Sequence, residues 1–343
     1  MTTTEDSGVG RRRRSRVTLG RGALAAASVL GMLLAAELVY RVDAARFRAE
    51  VLAGRDRADL VTTAAPSPLY YRLLPDVPGF TNSAGFRDLE RATVKSPGLV
   101  RIVVVGDSVT MQGGLPFEQL YVQRLQQRFD QELPGRVELL DFGVTGYNVE
   151  QESALLEREV LAYAPDIVLW QLHDNDAQRT LSAQLAKYWH RPRSYLLNEI
   201  AEKWAHQRCK RAVSRSGEQP AGREERDLLC RWPVVIGALD RAAELLRERG
   251  APLIVFLYPR WPAGDDWASY GAVGRERHRL LVEELERMGA TAVDLLPVLE
   301  RLDPGPLRVD TSDPWHPNAA GHQVIADAIY PSLREAVELR GAR

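Results

Sequence analysis

Two stretches of this chain have the residue types and spacing needed for nucleophilic acyl chemistry. Ser108 follows the apolar run Ile102–Val105 in GDSVT, and Asp313 precedes His316 by three residues in DPWHPN. A serine hydroxyl becomes a nucleophile when a histidine accepts its proton and a carboxylate orients that histidine. A turn that brings residues i and i+3 together would let Asp313 bond one ring nitrogen of His316. The pattern predicts Ser108 as nucleophile, His316 as general base and Asp313 as its orienting group.

Two further positions have the chemistry of oxyanion donors. Asn175 lies in HDND after the apolar run Ile167–Leu172, and Gly146 lies in DFGVTG after Val137–Asp141. A side-chain amide and an unobstructed backbone N–H both stabilise the negative oxygen of a tetrahedral intermediate. Asparagine and glycine are also ordinary turn residues, so each position alone is equally typical of a plain turn. Their order along the chain with Ser108 favours the functional interpretation.

The remaining histidines have weaker claims. His278 lies in the charged stretch RERHRLL and is predicted to be a solvated surface residue, whereas His190 and His206 lie within residues 177–232 and have no assigned role. No Cys/His spacing is typical of a zinc site. The predicted chemistry requires no metal or cofactor.

Strands alternate with amphipathic helices from residue 101 onward. The predicted strands are Ile102–Val105, Val137–Asp141, Ile167–Leu172, Leu253–Leu257 and Ala292–Leu295; the predicted helices are Phe117–Glu132, Val149–Tyr163, Val234–Arg249, Val273–Met288 and Ala319–Val337. Continuous apolar strands separated by helices are typical of a parallel sheet covered on both faces. We therefore expect a three-layer α/β/α domain over residues 101–343. Ser108, Gly146 and Asn175 then lie at the carboxyl ends of strands, where open α/β sheets bind ligands.

Residues 177–232 interrupt this alternation between the third and fourth strands. The segment is rich in Arg, Trp, Tyr and His and is too long for a plain loop. We expect a helical insertion near the carboxyl ends of the strands. Its two cysteines, Cys209 and Cys230, fit either a disulfide outside the cytoplasm or two buried thiols. The candidates for lining a glycan groove, or for packing within a cap, are Trp189, Trp204 and Trp232.

The N-terminal region has the composition of a membrane anchor. Residues 1–21 carry six arginines and two acidic residues, and Gly22–Ala36 carries no charge. Positive charge before an apolar segment places the N-terminus in the cytoplasm. We expect a cytoplasmic basic tail at 1–21, a transmembrane anchor at 22–40 and a juxtamembrane helix with an extended lead-in at 41–100, with the α/β/α domain extracytoplasmic, either periplasmic or on the cell surface. A cleaved signal peptide and a buried soluble helix are the alternatives; the first lacks a clear small-residue cleavage site and the second does not explain the flanking arginines.

Four short blocks together resemble the SGNH hydrolase superfamily, also called GDSL esterases/lipases. They are GDSVT at 106–110, DFGVTG at 141–146, HDND at 173–176 and DPWHPN at 313–318. The resemblance covers about residues 96–335. The anchor and the stretch NSAGFRDLE at 82–90 resemble a bacterial membrane-anchored subgroup.

The resemblance implies a flavodoxin-like fold with a five-stranded parallel sheet in the order 2-1-3-4-5. It also implies a serine esterase in which His316 acts first as base and then as acid. The implied oxyanion donors are the Ser108 N–H, the Gly146 N–H and the Asn175 side chain. The chain lacks a G-x-S-x-G motif around Ser108, so the resemblance does not extend to the α/β-hydrolase elbow.

The sequence departs from the superfamily pattern at two positions. His173 occupies a position where the family usually has glycine, and Asp141 one where it often has asparagine. A bulky ring at position 173 is expected to narrow the acyl pocket and to favour a small acyl group. The substitution at position 141 is milder.

The sequence thus predicts an anchored serine esterase that hydrolyses a small acyl ester, such as an acetyl group on an envelope glycan. Its expected partners are the ester substrate, on an acylated polysaccharide or lipid, and the membrane. A formal net charge of -1 argues against a nucleic-acid partner. Two alternatives stay open. An O-acyltransferase would use the same triad with a sugar hydroxyl in place of water, and a non-catalytic envelope scaffold would keep the fold without turnover.

Overall fold

The computed structural model describes residues 8–53, 62–65, 68–69, 71–173, 176, 193–216 and 223–341. The strands in these ranges are β1 (Thr62–Ala64), β2 (Tyr71–Leu73), β3 (Val100–Gly106), β4 (Val137–Gly143), β5 (Ile167–His173), β6 (Leu253–Tyr258) and β7 (Thr291–Asp294). The helices are α1 (Gly8–Ala53), α2 (Ser108–Met111), α3 (Tyr121–Glu132), α4 (Val149–Arg158), α5 (Tyr195–Ser216), α6 (Arg223–Glu248), α7 (Gly271–Arg287), α8 (Leu296–Leu299) and α9 (Ala319–Gly341). The chain divides into one unit of residues 1–54 with 191–211 and a second of residues 55–190 with 212–343.

The second unit is built on a five-stranded parallel sheet. Its strand order is β4-β3-β5-β6-β7, which is 2-1-3-4-5 when strands are counted from β3. The four apolar residues Ile102–Val105 of β3 are all 0% exposed. Such burial on both faces explains why these strands are continuous apolar runs rather than alternating patterns. The predicted three-layer α/β/α fold is confirmed.

Helices cover both faces of this sheet. On one face, Ile102 and Val104 share a hydrophobic cluster with residues of α3 and α9. On the other face, the indole N–H of Trp170 in β5 donates to Glu152 of α4 at 2.8 Å. Successive residues of a strand point to opposite faces, so each strand contributes to both layers of the core.

The lead-in before the sheet contains two short paired strands. β1 and β2 pair antiparallel, with Thr62 opposite Leu73. Farther along, the Asn82 side chain accepts from the N–H groups of Ala84 and Phe86 at 3.1 and 2.9 Å, which closes a tight loop. The sequence pattern that would predict these two strands is weak, because each strand is only three residues long.

The first unit contains the apolar part of α1. The stretch Ala23–Arg46 has a mean hydropathy of 1.9 and the length and composition of a membrane-crossing helix. Within it, Glu37 accepts hydrogen bonds from the N–H groups of Tyr195 and Leu196 at 3.2 and 2.9 Å. These N–H groups open α5, so Glu37 caps that helix. This N-terminal helix is a candidate membrane span or signal anchor.

The described part of the predicted insertion is helical and consists of α5 and the beginning of α6. Trp204 is 72% exposed and Trp232 is half-buried. Trp189 and His190 lie outside the described residues, as does the side chain of His206. Cys209 and Cys230 are both disulfide-bonded.

The prediction that His278 is a solvated surface residue is wrong. Its side chain is 5% exposed, with Nδ1 2.7 Å from Asp294 Oδ1 and Nε2 2.9 Å from the Tyr270 hydroxyl. The charged neighbours in sequence obscured the helical periodicity. His278 lies seven residues before the fully buried Leu285 and therefore on the same, inward face of α7.

Candidate active site

The predicted nucleophile lies at the start of a helix that begins where β3 ends. Ser108 is the first residue of α2, and Asp107 is its N-cap, with Oδ1 accepting from the Val109 N–H at 2.8 Å. Asp107 is fully buried, so the cap fixes the turn between strand and helix. Asp107 therefore holds this turn by a side-chain-to-backbone bond.

His316 and Asp313 complete a hydrogen-bonded chain with Ser108. His316 Nε2 lies 2.9 Å from Ser108 Oγ, and His316 Nδ1 lies 2.8 Å from Asp313 Oδ2. These distances are within hydrogen-bond reach. Residues 208 positions apart in sequence therefore meet in the order serine, imidazole, carboxylate. The arrangement has the geometry needed to move a proton from Ser108 to His316.

The environment of Asp313 keeps its carboxylate ionised. Burial raises the pKa of Asp313, but hydrogen bonds from the His316 ring and from the Trp315 N–H lower it by more, so the net pKa lies below its ordinary value. Oδ1 accepts from the backbone N–H groups of Trp315 and His316 at 2.8 and 3.1 Å, which leaves Oδ2 for the ring. One carboxylate thus shapes the turn and orients the imidazole.

The loop that carries His316 is fixed on both sides. Asn318 caps α9 by accepting from the Ala320 and Gly321 N–H groups at 2.9 and 3.1 Å. The Gln112 side chain, just after α2, donates to the Pro317 carbonyl at 2.8 Å. The segment holding the predicted nucleophile is therefore bonded directly to the segment holding the predicted base.

Gly146 lies in the loop that follows β4, next to the end of β3. Gly106 of β3 is in register with Gly143 of β4, and the Val144 N–H donates to the Gly106 carbonyl at 3.0 Å. Gly146 has φ +73°, a backbone conformation that disfavours other residues. Asn148 then caps α4 with a capping box. The structure brings the Gly146 loop alongside the Ser108 turn.

Asn175, the third predicted oxyanion donor, lies outside the described residues. Its neighbours His173 and Asp176 are described. The His173 N–H donates to Asp176 Oδ2 at 2.6 Å, and Asp176 is fully buried. This bond ties Asp176 to the last residue of β5.

The His173 side chain is part of an aromatic layer beside the His316 loop. It is 4% exposed, and its ring centroid lies 5.0 Å from that of Trp315 and 5.3 Å from that of Tyr258. Trp315 immediately precedes His316 in sequence. The His173 ring therefore packs edge to face against Trp315, the residue that precedes the predicted base.

A buried polar layer under the Ser108 turn is not evident from the sequence. Gln171 Oε1 accepts from the Asp107 N–H at 3.0 Å and from the Thr110 hydroxyl at 3.1 Å. Glu152 is fully buried, and burial, followed by the charge of Asp107, raises its pKa well above the ordinary value. Gln171 interrupts the apolar run of β5, and a polar residue inside such a run is the signal that could have identified it. Glu152 lies among the polar residues Glu150, Gln151 and Ser153, so its sequence context gives no such signal.

Asp141, which departs from the superfamily pattern, is also buried. Its Oδ1 accepts from the Gly143 N–H at 2.8 Å, and burial raises its pKa well above the ordinary value. The neutral carboxyl that this shift favours resembles an asparagine amide in size and in hydrogen bonding. The substitution is therefore compatible with the loop that leads to Gly146.

Comparisons with known proteins find a matching family and several similar solved structures. A sequence profile of the GDSL-like Lipase/Acylhydrolase family matches residues 104–324, more than half of the chain. The crystal structure of TesA is similar at a TM-score of 0.46 and 18% identity, over 69% of this chain and 99% of TesA. A catalytic mutant of Axe2, an acetylxylan esterase from Geobacillus stearothermophilus, is similar at 0.46 and 17%, over 71% of this chain and 96% of Axe2. The psychrotrophic esterase EstA from Pseudoalteromonas sp. is similar at 0.45 and 16%, over 69% of this chain and 98% of EstA. No curated protein matches the sequence.

Proposed function

Because the chain belongs to the GDSL-like lipase/acylhydrolase family and is an ester-hydrolysing enzyme, we propose that it works through a Ser108–His316–Asp313 acyl-enzyme mechanism. The observation that carries the proposal is the continuous chain from Ser108 Oγ to His316 Nε2 at 2.9 Å and from His316 Nδ1 to Asp313 at 2.8 Å. A nucleophilic role for Ser108 explains why three residues from two distant loops meet in this order at the carboxyl edge of the sheet.

In the first step, His316 Nε2 accepts the hydroxyl proton while Ser108 Oγ attacks the ester carbonyl carbon. The tetrahedral oxyanion is stabilised by the N–H of Ser108, at the start of α2, and by the N–H of Gly146. His316 then gives its proton to the leaving alcohol as the ester bond breaks. Asp313 holds the ring in the tautomer that leaves Nε2 unprotonated before attack.

In the second step, water replaces the alcohol. His316 removes a proton from the water as the water oxygen attacks the acyl carbon on Ser108. The bond between that carbon and Ser108 Oγ then breaks, His316 returns the proton to Oγ, and the carboxylic acid leaves. The sequence assigns a third oxyanion donor to Asn175, which lies outside the described part of the chain.

We propose a small acyl group, such as acetyl on an envelope glycan, as the substrate. The support is His173, a 4% exposed ring packed 5.0 Å from Trp315 beside His316. A panel of aryl esters from acetyl to octanoyl, hydrolysed by the full chain in detergent, tests this. We expect kcat/KM to fall with acyl length and His173→Gly to raise the rate on long esters relative to acetyl, with Ser108→Ala as background. Rates that rise steadily with chain length in the unaltered enzyme would exclude a small-acyl preference.

We also propose that α1 anchors the enzyme with its N-terminus in the cytoplasm and its catalytic unit outside. The support is the arginine cluster before the apolar stretch Ala23–Arg46 and the disulfide bonding of both cysteines, which suits an oxidising compartment. Proteinase K added to spheroplasts is expected to digest the catalytic unit without lysis. Protection of that unit until the membrane is broken would reverse the proposed orientation.

A further inference from the structure

The lead-in between the anchor and the sheet contacts two segments of the predicted site. These are the helix α2, which begins at Ser108, and the loop that contains Gly146. The family profile begins at residue 104, so the lead-in lies outside the family's matched region. Two of its buried side chains, Tyr71 of β2 and Arg87 of the loop after β2, reach across to the loops that follow β4 and β3. A plain linker needs neither contact.

Tyr71 bonds the peptide unit that contains the predicted oxyanion donor. Its hydroxyl donates to the Thr145 carbonyl at 2.6 Å, and that carbonyl belongs to the same peptide bond as the Gly146 N–H. The peptide bond is planar and trans, so fixing the carbonyl oxygen fixes the direction of the N–H on the opposite side. A hydrogen bond to the carbonyl also polarises the peptide and strengthens its N–H as a donor.

The contact is tightly built. Tyr71 is 1% exposed, and a Cβ placed on Gly146 would lie 2.9 Å from its hydroxyl, so the loop approaches the ring as closely as glycine permits. The Tyr147 hydroxyl donates to the Tyr71 backbone carbonyl, and the two rings pack edge to face at 5.2 Å. Burial raises the pKa of Tyr71 well above its ordinary value, so the hydroxyl remains a donor at working pH.

Arg87 closes the other end of the helix that starts at Ser108. Its guanidinium donates to the Met111 carbonyl at 2.8 Å and also to the carbonyls of Gln112 and Leu115. The carbonyls at the end of this one-turn helix lack intrahelical donors, and the Arg87 guanidinium supplies donors to them. The Gln112 N–H, which shares a peptide bond with the Met111 carbonyl, donates to the Ser108 carbonyl at 2.8 Å. The peptide unit that Arg87 binds is therefore hydrogen-bonded to the predicted nucleophile.

We propose that Tyr71 and Arg87 are positioning residues of the hydrolase: Tyr71 orients the Gly146 N–H toward the oxyanion, and Arg87 holds α2 so that Ser108 stays in line with His316. The inference rests on the proposed acyl-enzyme function and extends it to a segment outside the family's matched region. The lead-in is thereby part of the catalytic apparatus as well as the connection to the anchor.

The test of Tyr71 uses Tyr71→Phe in the full chain, with Tyr270→Phe as the matched control. Both changes remove one phenolic hydroxyl. The Tyr270 hydroxyl lies 2.9 Å from His278, a residue of α7. Because α7 precedes the edge strand β7, this control lies away from β3 and Ser108. We expect kcat on p-nitrophenyl acetate to fall about tenfold in Tyr71→Phe, with KM within about twofold, because the donor remains but is no longer held. The affinity for a trifluoromethyl ketone, which mimics the oxyanion, is expected to fall by the same factor.

The outcomes separate this inference from the function on which it rests. Absence of Ser108-dependent hydrolysis in the unaltered enzyme would overturn both. Ser108-dependent hydrolysis with kcat and ketone affinity in Tyr71→Phe equal to those in Tyr270→Phe would overturn the positioning role of Tyr71 alone. A fall in thermal stability with unchanged kcat in the folded protein would do the same, since it would make the contact purely structural.

Arg87 is tested by Arg87→Lys, with Arg128→Lys as control. Lysine keeps the charge but loses the planar fork that reaches three carbonyls, whereas Arg128 is a surface residue whose side chain is 43% exposed. We expect fluorophosphonate labelling of Ser108 to slow about tenfold in Arg87→Lys and to be unchanged in Arg128→Lys. Equal labelling rates in the two folded variants would overturn the positioning role of Arg87.

Discussion

Replacing Asp313 by asparagine is a sharp test of how His316 is oriented. The carboxylate bonds the ring at 2.8 Å through Oδ2 and the Trp315 N–H at 2.8 Å through Oδ1. In Asp313→Asn, the amide oxygen can keep the backbone bonds, but the amide nitrogen then donates to Nδ1. The ring must take the other tautomer, with its proton on Nε2, and can no longer accept the proton of Ser108.

The size of the effect follows from the geometry. The imidazolium that forms during attack lies about 4 Å from the carboxylate charge, and at an effective dielectric of about 20 their attraction is about 4 kcal/mol. The side chains of His316 and Asp313 are 28% and 25% exposed, which is why the dry-interior value does not apply. A barrier higher by about 4 kcal/mol slows turnover about 10³-fold.

The assay is kcat and KM on p-nitrophenyl acetate for Asp313→Asn and for the control Asp310→Asn. Asp310 lies in the same loop and also closes a turn, accepting from the Ser312 N–H at 2.7 Å. We expect kcat to fall about 10³-fold in Asp313→Asn, with little change in KM, and the control to match the unaltered enzyme. A turnover rate of Asp313→Asn within threefold of the control would refute the assigned role of Asp313.

Two further predictions concern the packing around the site. Gly146→Ala should lower the free energy of unfolding by about 1–2 kcal/mol, because alanine is strained at φ +73°. It should also lower kcat, because the new Cβ would lie 2.9 Å from the Tyr71 hydroxyl and displace the loop. Chemical denaturation and kinetics check this, and an unaltered denaturation midpoint with full activity would contradict it. His322 is fully buried, its Nδ1 accepts from the Tyr121 N–H at 3.1 Å, and burial, then the charge of Arg124, lowers its pKa to about 3. The unfolded chain therefore binds a proton at His322 that the folded chain does not, so stability is unaffected above pH about 6.5 and is lost by about 1.4 kcal/mol per pH unit below it. Thermal unfolding should show a shallower pH dependence between pH 4 and 6 in His322→Gln than in the unaltered protein, and identical slopes would show that His322 is not held neutral.

The fold was predictable because the strands of a doubly covered parallel sheet are continuous apolar runs. Ile102–Val105 and Leu253–Leu257 needed only their length and their flanking turns to be assigned. The paired strands of the lead-in were missed because three residues carry no periodicity. His278 was misassigned because its sequence neighbours are charged, whereas its burial depends on which face of α7 meets the sheet.

The distance between Ser108 and His316 could be anticipated only in part. Local sequence indicated that each residue ends a strand or precedes a helix, and a parallel sheet collects such positions at one edge. The contacts that fix the geometry are long-range side-chain bonds, such as Gln112 to Pro317 and Tyr71 to Thr145. No local pattern marks these partners, since their hydrogen bonds depend on the completed sheet.

The most direct test of the account is the identity of the residue that becomes acylated. The full chain in detergent is mixed with p-nitrophenyl acetate, quenched in acid and mapped by peptide mass spectrometry, beside Ser108→Ala. We predict an acetyl group on Ser108 in the unaltered enzyme and a loss of hydrolysis of more than about 10³-fold in Ser108→Ala. Acetylation of another residue, or turnover by Ser108→Ala within tenfold of the unaltered enzyme, would contradict the mechanism.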